Sequence, residues 1–454
     1  MKTLFILALG VSYWQAPLEI SENDYFYFGN TNLVGIGQLE NGKKNGDWNV
    51  YKRIEESTVP LESMQAASAS EVEASFDLSN IVFRMSFKND LPDGLMEELY
   101  PNDKIKKLVN FAAGKLDGDF FEFSEQGEVS RSGSYFENKK VGDWKSFYSD
   151  GSLKSETFYK NGLLSGNTKN YHPDGSIAET ISLESGKLEG SYQSFYRNSS
   201  IQKEIQFSDG LEHGDFKLYF EDGKICASGQ FEKGILTGNW EFWNADGFLL
   251  SNGNYHAGQK NGVWKEQFDG VLGFYRIGEF GVGLKTGVWK VIDFDGIVYQ
   301  EETYFEDELI AIGDFKSTSG DMLAAGTIKN GKGRRVIFDS EGNTLERGRY
   351  TKGKRTGLWY HYFPKTESVA KAGSYFQGNK IGIWKYYDFA GQLVSEEDFS
   401  KDENPEAREA STFENHLKGR EDFGRNLVKE PTRSNDLEFI QRFNFNILNP
   451  KGNF

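Results

Sequence analysis

A glycine, in most cases two residues before an aromatic, returns every 24 positions: Gly142, Gly166, Gly190, Gly214, Gly238 and Gly262 mark the register. A fixed period of that length restricts a chain to architectures in which one small unit stacks on the next. Stepping backward extends the lattice to Gly118, Gly94, Ser70, Gly46 and Glu22. Forward, with small slips, it passes Gly287, a cramped unit near Gly313, then Gly333, Gly357 and Gly382. The reading is about sixteen units over residues 22–400. Residues 57–93 look irregular, but Phe76 and Phe87 fall in aromatic slots, so they are read as a degenerate unit at Ser70 and not as an insertion.

Inside the unit the chemistry is positional. Position +2 from the phase glycine holds Trp48, Trp144, Trp240, Trp264, Trp289, Trp359 and Trp384. Position +5 carries aromatics such as Tyr51, Phe147 and Trp243, and +17 carries Phe87, Tyr159 or Tyr255. Position +9 is mostly glycine, often after aspartate as in Asp150-Gly151 and Asp222-Gly223, and +20 is glycine again. Two aromatic-rich runs separated by Asp-Gly predict a β-hairpin with a type I′ turn. A return such as "KNGLLSG" leads to the next hairpin. Helical spacing is missing within the units, and glycine at this density opposes helix by roughly 1 kcal/mol each.

The expected fold is therefore all-β: an elongated repeat array of 24-residue hairpins in a single-layer antiparallel sheet, roughly 150 Å long. Each aromatic is expected to meet its counterpart in the next unit, so that stability accumulates between neighbours. Positions +2 and +5 differ by three, which places them on opposite faces unless a bulge intervenes. Composition agrees with many tight turns and strands, with 51 Gly, 37 Phe, 22 Tyr and 9 Trp. A mean hydropathy of -0.60 leaves too little apolar surface for one large core.

The pattern G-x-W-x-x-[FY]-x-x-D-G-x-[LI], then an aromatic, then x-x-G-x-x-x-G, fits Val141–Gly166 and Thr237–Gly262 well. It resembles the MORN-repeat-variant family over most of residues 22–400. That resemblance implies stacked β-hairpins. It also implies two roles: relatives often serve as antitoxin components of toxin–antitoxin systems, and MORN repeats more broadly act as interaction and membrane-proximal scaffolds.

The ends leave the pattern. Lys2 followed by the apolar run Leu4 to Val11 reads as a secretory signal over residues 1–16, too short to span a bilayer. No later stretch is long and apolar enough to cross a membrane as a helix, so the mature chain is expected without a transmembrane segment and exported to the periplasm, cell surface or medium. Residues 401–454 read as a polar linker, with Asn404-Pro405 breaking any strand, and a terminal strand in "FIQRFNFNILNP" that caps a sheet edge or docks elsewhere.

Candidate chemistry is sparse. A formal charge of -16 disfavours nucleic acid and anionic lipid as partners. The single Cys226 excludes an internal disulfide and a cysteine-based zinc site. The five histidines, His361 among them, sit at different positions in the repeat and read as surface residues. "GEFGVGLKTG" lacks the spacing of a phosphate loop. Asp-Gly is explained by its turn better than by calcium. No enzyme, cofactor or metal is expected. The Trp set is read as the sheet's own packing. Tyr148, Tyr196, Phe220 and Phe268, where a second aromatic follows position +5, are read as candidates for exposed contact. The functional expectation is an exported scaffold that contacts a protein partner, possibly through several units. The alternatives are an antitoxin-like protein that neutralises a toxin, and a carbohydrate-binding surface protein.

Overall fold

The computed structural model of the protein describes residues 25–28, 32–54, 68–268 and 273–399. The proposed leader and the 401–454 tail lie outside them. Among the described residues the chain is almost wholly antiparallel strand, each pairing with its chain neighbours, plus one helix, Ala69–Ser75. It divides into two units. The first holds the described residues up to Gly166 with Pro173–Gly175, and the second holds Asn167–His172 and the described residues from Ser176 on.

Two turn types alternate, and their places are the reverse of the expectation. At the Asp-Gly corners only the glycine is left-handed, as in Gly151 (φ 80°) and Gly223 (φ 84°). Gly151 N–H donates to the Tyr148 carbonyl and Tyr148 N–H to the Ser152 carbonyl. That is a three-residue loop, a type I turn closed by a left-handed glycine. Asp150 fixes it by accepting Ser152 N–H at 2.9 Å and Ser152 Oγ at 2.6 Å. The type I′ turns sit at the returns, where both central residues have positive φ: Asn161 (53°) with Gly162 (85°), and Lys233 (51°) with Gly234 (79°).

Just beyond each return the register breaks. Ser132 pairs with Lys145 and Ser134 with Val141, so one residue, Gly133, faces three, Gly142 to Trp144. Ser228–Glu241 and Gln230–Thr237 repeat the break around Gly229. The break turns the +2 ring over the neighbouring strand, and a glycine lies beneath it in every Trp unit. A Cβ on Gly133 would sit 2.2 Å from the Trp144 ring, on Gly253 2.3 Å from Trp264, and on Gly373 2.2 Å from Trp384. Where the rung is smaller the slot is filled instead: Val109 faces Phe120, Ile181 faces Tyr192, and Ile205 faces Phe216. Slot and rung therefore conserve volume across the strand pair.

Positions +2 and +17 share one face and interleave. In the first unit Phe120, Tyr135, Trp144 and Tyr159 touch in order, at 5.8, 5.2 and 5.8 Å between centroids. In the second, Trp240, Tyr255, Trp264, Phe280, Trp289 and Tyr304 continue the same edge-on series. The expected like-with-like contact occurs where rings meet over the slot glycine, as Phe216–Trp240 at 5.4 Å. Elsewhere +2 packs on +17. The +5 aromatics lie on the other face and are half-buried in most units.

The unit expected at Ser70 is an insertion. Gly46 pairs with Phe87 and Trp48 with Met85, so Phe76–Lys88 closes the hairpin opened by Lys43–Arg53. Phe87 occupies +17 of the Gly46 unit, and the helix lies in the connection. Ser68 caps the helix, its N–H bonding the Glu71 carboxylate at 2.7 Å in a capping box. The Gly313 unit is cramped as expected. Phe315 takes the +2 slot, and its short hairpin, Phe315–Lys316 with Met322–Leu323, packs into a local core with Phe268, Phe274, Tyr299 and Phe338.

Gly253→Ile is expected to destabilise the fold by more than about 3 kcal/mol, in the range of severe overpacking. Trp264→Phe combined with Gly253→Ile recreates the Ile205–Phe216 pairing and is expected to recover most of that loss. Denaturant melts of the single and double variants check this, and additive losses would contradict it.

Candidate interaction surface

The Trp rungs are structural. All seven are buried, from 0% exposed for Trp264 to 3% for Trp144. Each indole N–H is satisfied by the backbone at the register break. Trp144 donates to the Ser134 carbonyl at 3.2 Å, Trp264 to Asn254 at 3.0 Å and Trp289 to Glu279 at 3.2 Å. The open side of five of them is roofed by a cation two residues ahead of the phase glycine, whereas Trp240 has Leu236 at that position. Lys140 lies 4.4 Å over Trp144, Lys260 4.4 Å over Trp264, Lys285 4.2 Å over Trp289, Arg355 4.2 Å over Trp359 and Lys380 4.7 Å over Trp384. Each such contact contributes about 0.5–2 kcal/mol. The sequence shows this as K-x-G-x-W, a signal read only for its glycine and tryptophan until the register showed why the cation is there.

Glu266 ties two roofs together, 2.8 Å from Lys260 and 2.7 Å from Lys285. Burial alone would raise its carboxyl, but Lys285 and Lys260 override this and hold it at about 2, below the usual 4.5. Because the folded value is depressed, its stabilisation is complete above pH 4.5 and is lost as pH falls through about 2.

Around the irregular unit the rung changes chemistry. Arg335 occupies +2 and is 2% exposed, and Glu302 occupies the slot where glycine usually sits and is 0% exposed. The two form a buried ion pair, joined by Arg276 Nε at 3.2 Å and Tyr304 Oη at 2.7 Å. Burial would raise the Glu302 carboxyl, yet Arg276 and Arg335 hold it well below the usual range. Burial, then the Glu302 charge, pushes the Tyr304 hydroxyl well above its ordinary value. The lattice alone gave no reason to pick out Glu302 and Arg335, although an acid in a glycine slot was visible in the sequence.

The four second-aromatic candidates do not form one exposed row. Phe268 is 1% exposed, inside the core of the irregular region, because the chain there folds over it. Tyr196 is half-buried and donates its hydroxyl to the Tyr219 carbonyl at 2.8 Å. Tyr100 does the same to Phe123 at 2.8 Å. This position therefore stitches one hairpin to the next. Tyr148 and Phe220 are half-buried at equivalent corners. His361 also departs from the surface reading. It is buried against Trp384, with Nδ1 2.9 Å from Glu346.

The exposed and variable position is +1, between the phase glycine and the buried rung. In the first unit it presents Asp47, Leu95 (42% exposed), Asp119 and Asp143, with Asp47 and Asp119 accepting hydroxyls of Ser86 (2.6 Å) and Ser134 (3.2 Å) across the strand pair. In the second it runs from Asn167, Ser191, Asp215 and Asn239 to Val263 (54% exposed) and Val288 (51%), is charged at Asp314 and Arg334, and is apolar again at Leu358 (50%) and Ile383 (55%). Equivalent residues in adjacent repeats lie two strands, about 9.6 Å, apart. Among the described residues no group of three or more His, Cys, Asp or Glu is placed to hold a metal ion, and no helix is long and apolar enough to cross a membrane.

The MORN repeat variant model matches residues 140–161, 188–209, 212–233 and 380–401, and the chain carries MORN-variant repeats at those positions. No match is found among curated proteins. Among solved structures, the Photorhabdus luminescens Tc holotoxin pore is similar over 80% of this chain at 11% identity, with a TM-score of 0.12. TcdB2-TccC3-TEV and TcdB2-TccC3-Cdc42 are similar over 80% at 9% and 10% identity, each with a TM-score of 0.13. The chain spans 22% of the length of each, and likenesses that weak carry no argument.

Two outcomes follow. Glu266→Gln is expected to flatten part of the fall in melting temperature between pH 4.5 and 2, and an unchanged profile would contradict the roof-tie role. Tyr196→Phe is expected to cost about 1 kcal/mol in denaturant melts without altering capture of any partner.

Proposed function

We propose that the protein is a non-enzymatic, exported scaffold that contacts a protein partner along its repeats. The observation that carries this is the division of labour within the unit. The recurring +2 and +17 aromatics are spent on packing and the recurring corner residues on turns, while +1 is exposed and its chemistry differs from repeat to repeat. A surface of that kind reads a partner at regular intervals, and several weak contacts then act together. The polar stretch sets charge and the Val263–Val288 stretch supplies apolar contact. A sugar-stacking surface built on the Trp set would need those rings exposed, so their burial favours protein contact. Export rests on the sequence of residues 1–16.

Affinity capture with the full chain from the native cell envelope tests this reading. Val263→Asp with Val288→Asp is expected to change stability by no more than about 0.5 kcal/mol and to lose the captured partner. Retention of the partner by that variant, or a mature chain still starting at Met1 in the cytosol, would overturn it.

A further inference from the structure

One hairpin of the second unit, running from Val282 to Phe305, carries exposed apolar side chains from its return to its corner. Lys285 and Trp289 lie on the roofed face, so Leu284, Val288 and Ile292 lie on the opposite one. Register sets their neighbours there: Val288 pairs with Thr303, Lys290 with Glu301 and Ile292 with Val298. Phe305 follows on the same face, next to Tyr304, which pairs with Gly287, and it is 58% exposed. At the corner, Phe294 stands exposed with its ring 5.6 Å from Tyr275. Val282 is the most telling residue. It takes φ 52° at the first left-handed place of its return, where other repeats put Asn161, Asp209 or Lys233. A β-branched side chain is an outlier at that φ, yet this one is 73% exposed. Neither backbone comfort nor burial within the chain accounts for it, and strain of this kind persists where a contact uses it.

Resting on the scaffold reading, we propose that this face binds the same face of a second copy of the chain, about a twofold axis between Lys290 and Glu301. Within one copy these two charges are exposed and 4.0 Å apart, and the axis sets the Lys290 of each copy against the Glu301 of the other. Two strands back, Lys265 and Glu279 share the face, Glu279 pairing with Val263 and Lys265 with Ile277. The face therefore carries two cations and two carboxylates. It is neutral in a chain of net charge -16, which relieves the repulsion that two copies meet elsewhere and makes the surface complementary to itself. Each copy supplies the second layer that a lone sheet lacks, packed about 10 Å away as in a sandwich. The four strands from Gln259–Gln267 to Val298–Phe305 span about 19 Å by about 30 Å. That footprint, about 570 Å² before side-chain relief is counted, approaches the roughly 800 Å² per partner of a stable interface.

Analytical ultracentrifugation of the purified full chain tests this, and a dimer at micromolar concentration is expected. Val282→Asn with Phe305→Thr is expected to weaken the dimer about tenfold or more. The asparagine restores the residue that the Asn161 return uses, so the melting temperature of Val282→Asn alone is expected to stay the same or rise. Lys290→Glu and Glu301→Lys are each expected to sediment as monomers, and their equimolar mixture to recover the dimer. A monomeric chain, a dimer indifferent to Val282→Asn with Phe305→Thr, or a mixture no more associated than its components would overturn the proposal. A monomeric chain that still captures another polypeptide from the cell envelope, and loses it on Val263→Asp with Val288→Asp, would overturn it while leaving the scaffold reading intact.

Discussion

The seating of a large ring on a bare backbone is the contact on which the rest depends. A single-layer sheet has no second layer to bury its side chains, so it must create burial within one face. The register break at the phase glycine does this by laying the +2 ring across the neighbouring strand, where a slot glycine leaves room for it. The indole N–H then bonds a carbonyl at the break, and a lysine or arginine covers the open side. Removing a fully packed Trp from such a site costs about 3–5 kcal/mol, which indicates how much of each unit's stability rests on one rung.

Much of this was legible in the sequence because the repeat samples the same problem many times. The period, the strands, the glycine corners and the structural reading of Trp144 or Trp264 follow from spacing alone. The partner of each rung did not, because it depends on register: Gly133 meets Trp144 only through a break that places one residue against three. The turn types were exchanged for a related reason. Asp150 is not left-handed and acts through its carboxylate, while Asn161-Gly162, which looked like a simple return, supplies the two left-handed residues.

The irregular places were the least legible. Phe76 and Phe87 fell on the lattice although a helix-bearing insertion separates Arg53 from Phe76, since an insertion close to one period in length preserves phase. Phe268 shared the sequence context of Tyr148 and Tyr196, yet the fold around Phe315 covers it. The candidate surface was missed for a different reason. Position +1 has no fixed chemistry, so a search for recurring residues passes over the one column that is both exposed and free to vary. The change from Asp215 to Val263 and Ile383 along that column became meaningful only once its exposure was known.

The burial of the rungs is the claim that both the fold and the functional reading require. It is tested most directly by following hydrogen exchange of the tryptophan indole N–H groups by 15N-resolved NMR. The indoles of Trp48, Trp144, Trp240, Trp264, Trp289, Trp359 and Trp384 are predicted to exchange only as slowly as the surrounding sheet opens. Exchange at the rate of a free peptide for these seven would contradict the account, and would return the tryptophans to the surface as the protein's binding residues.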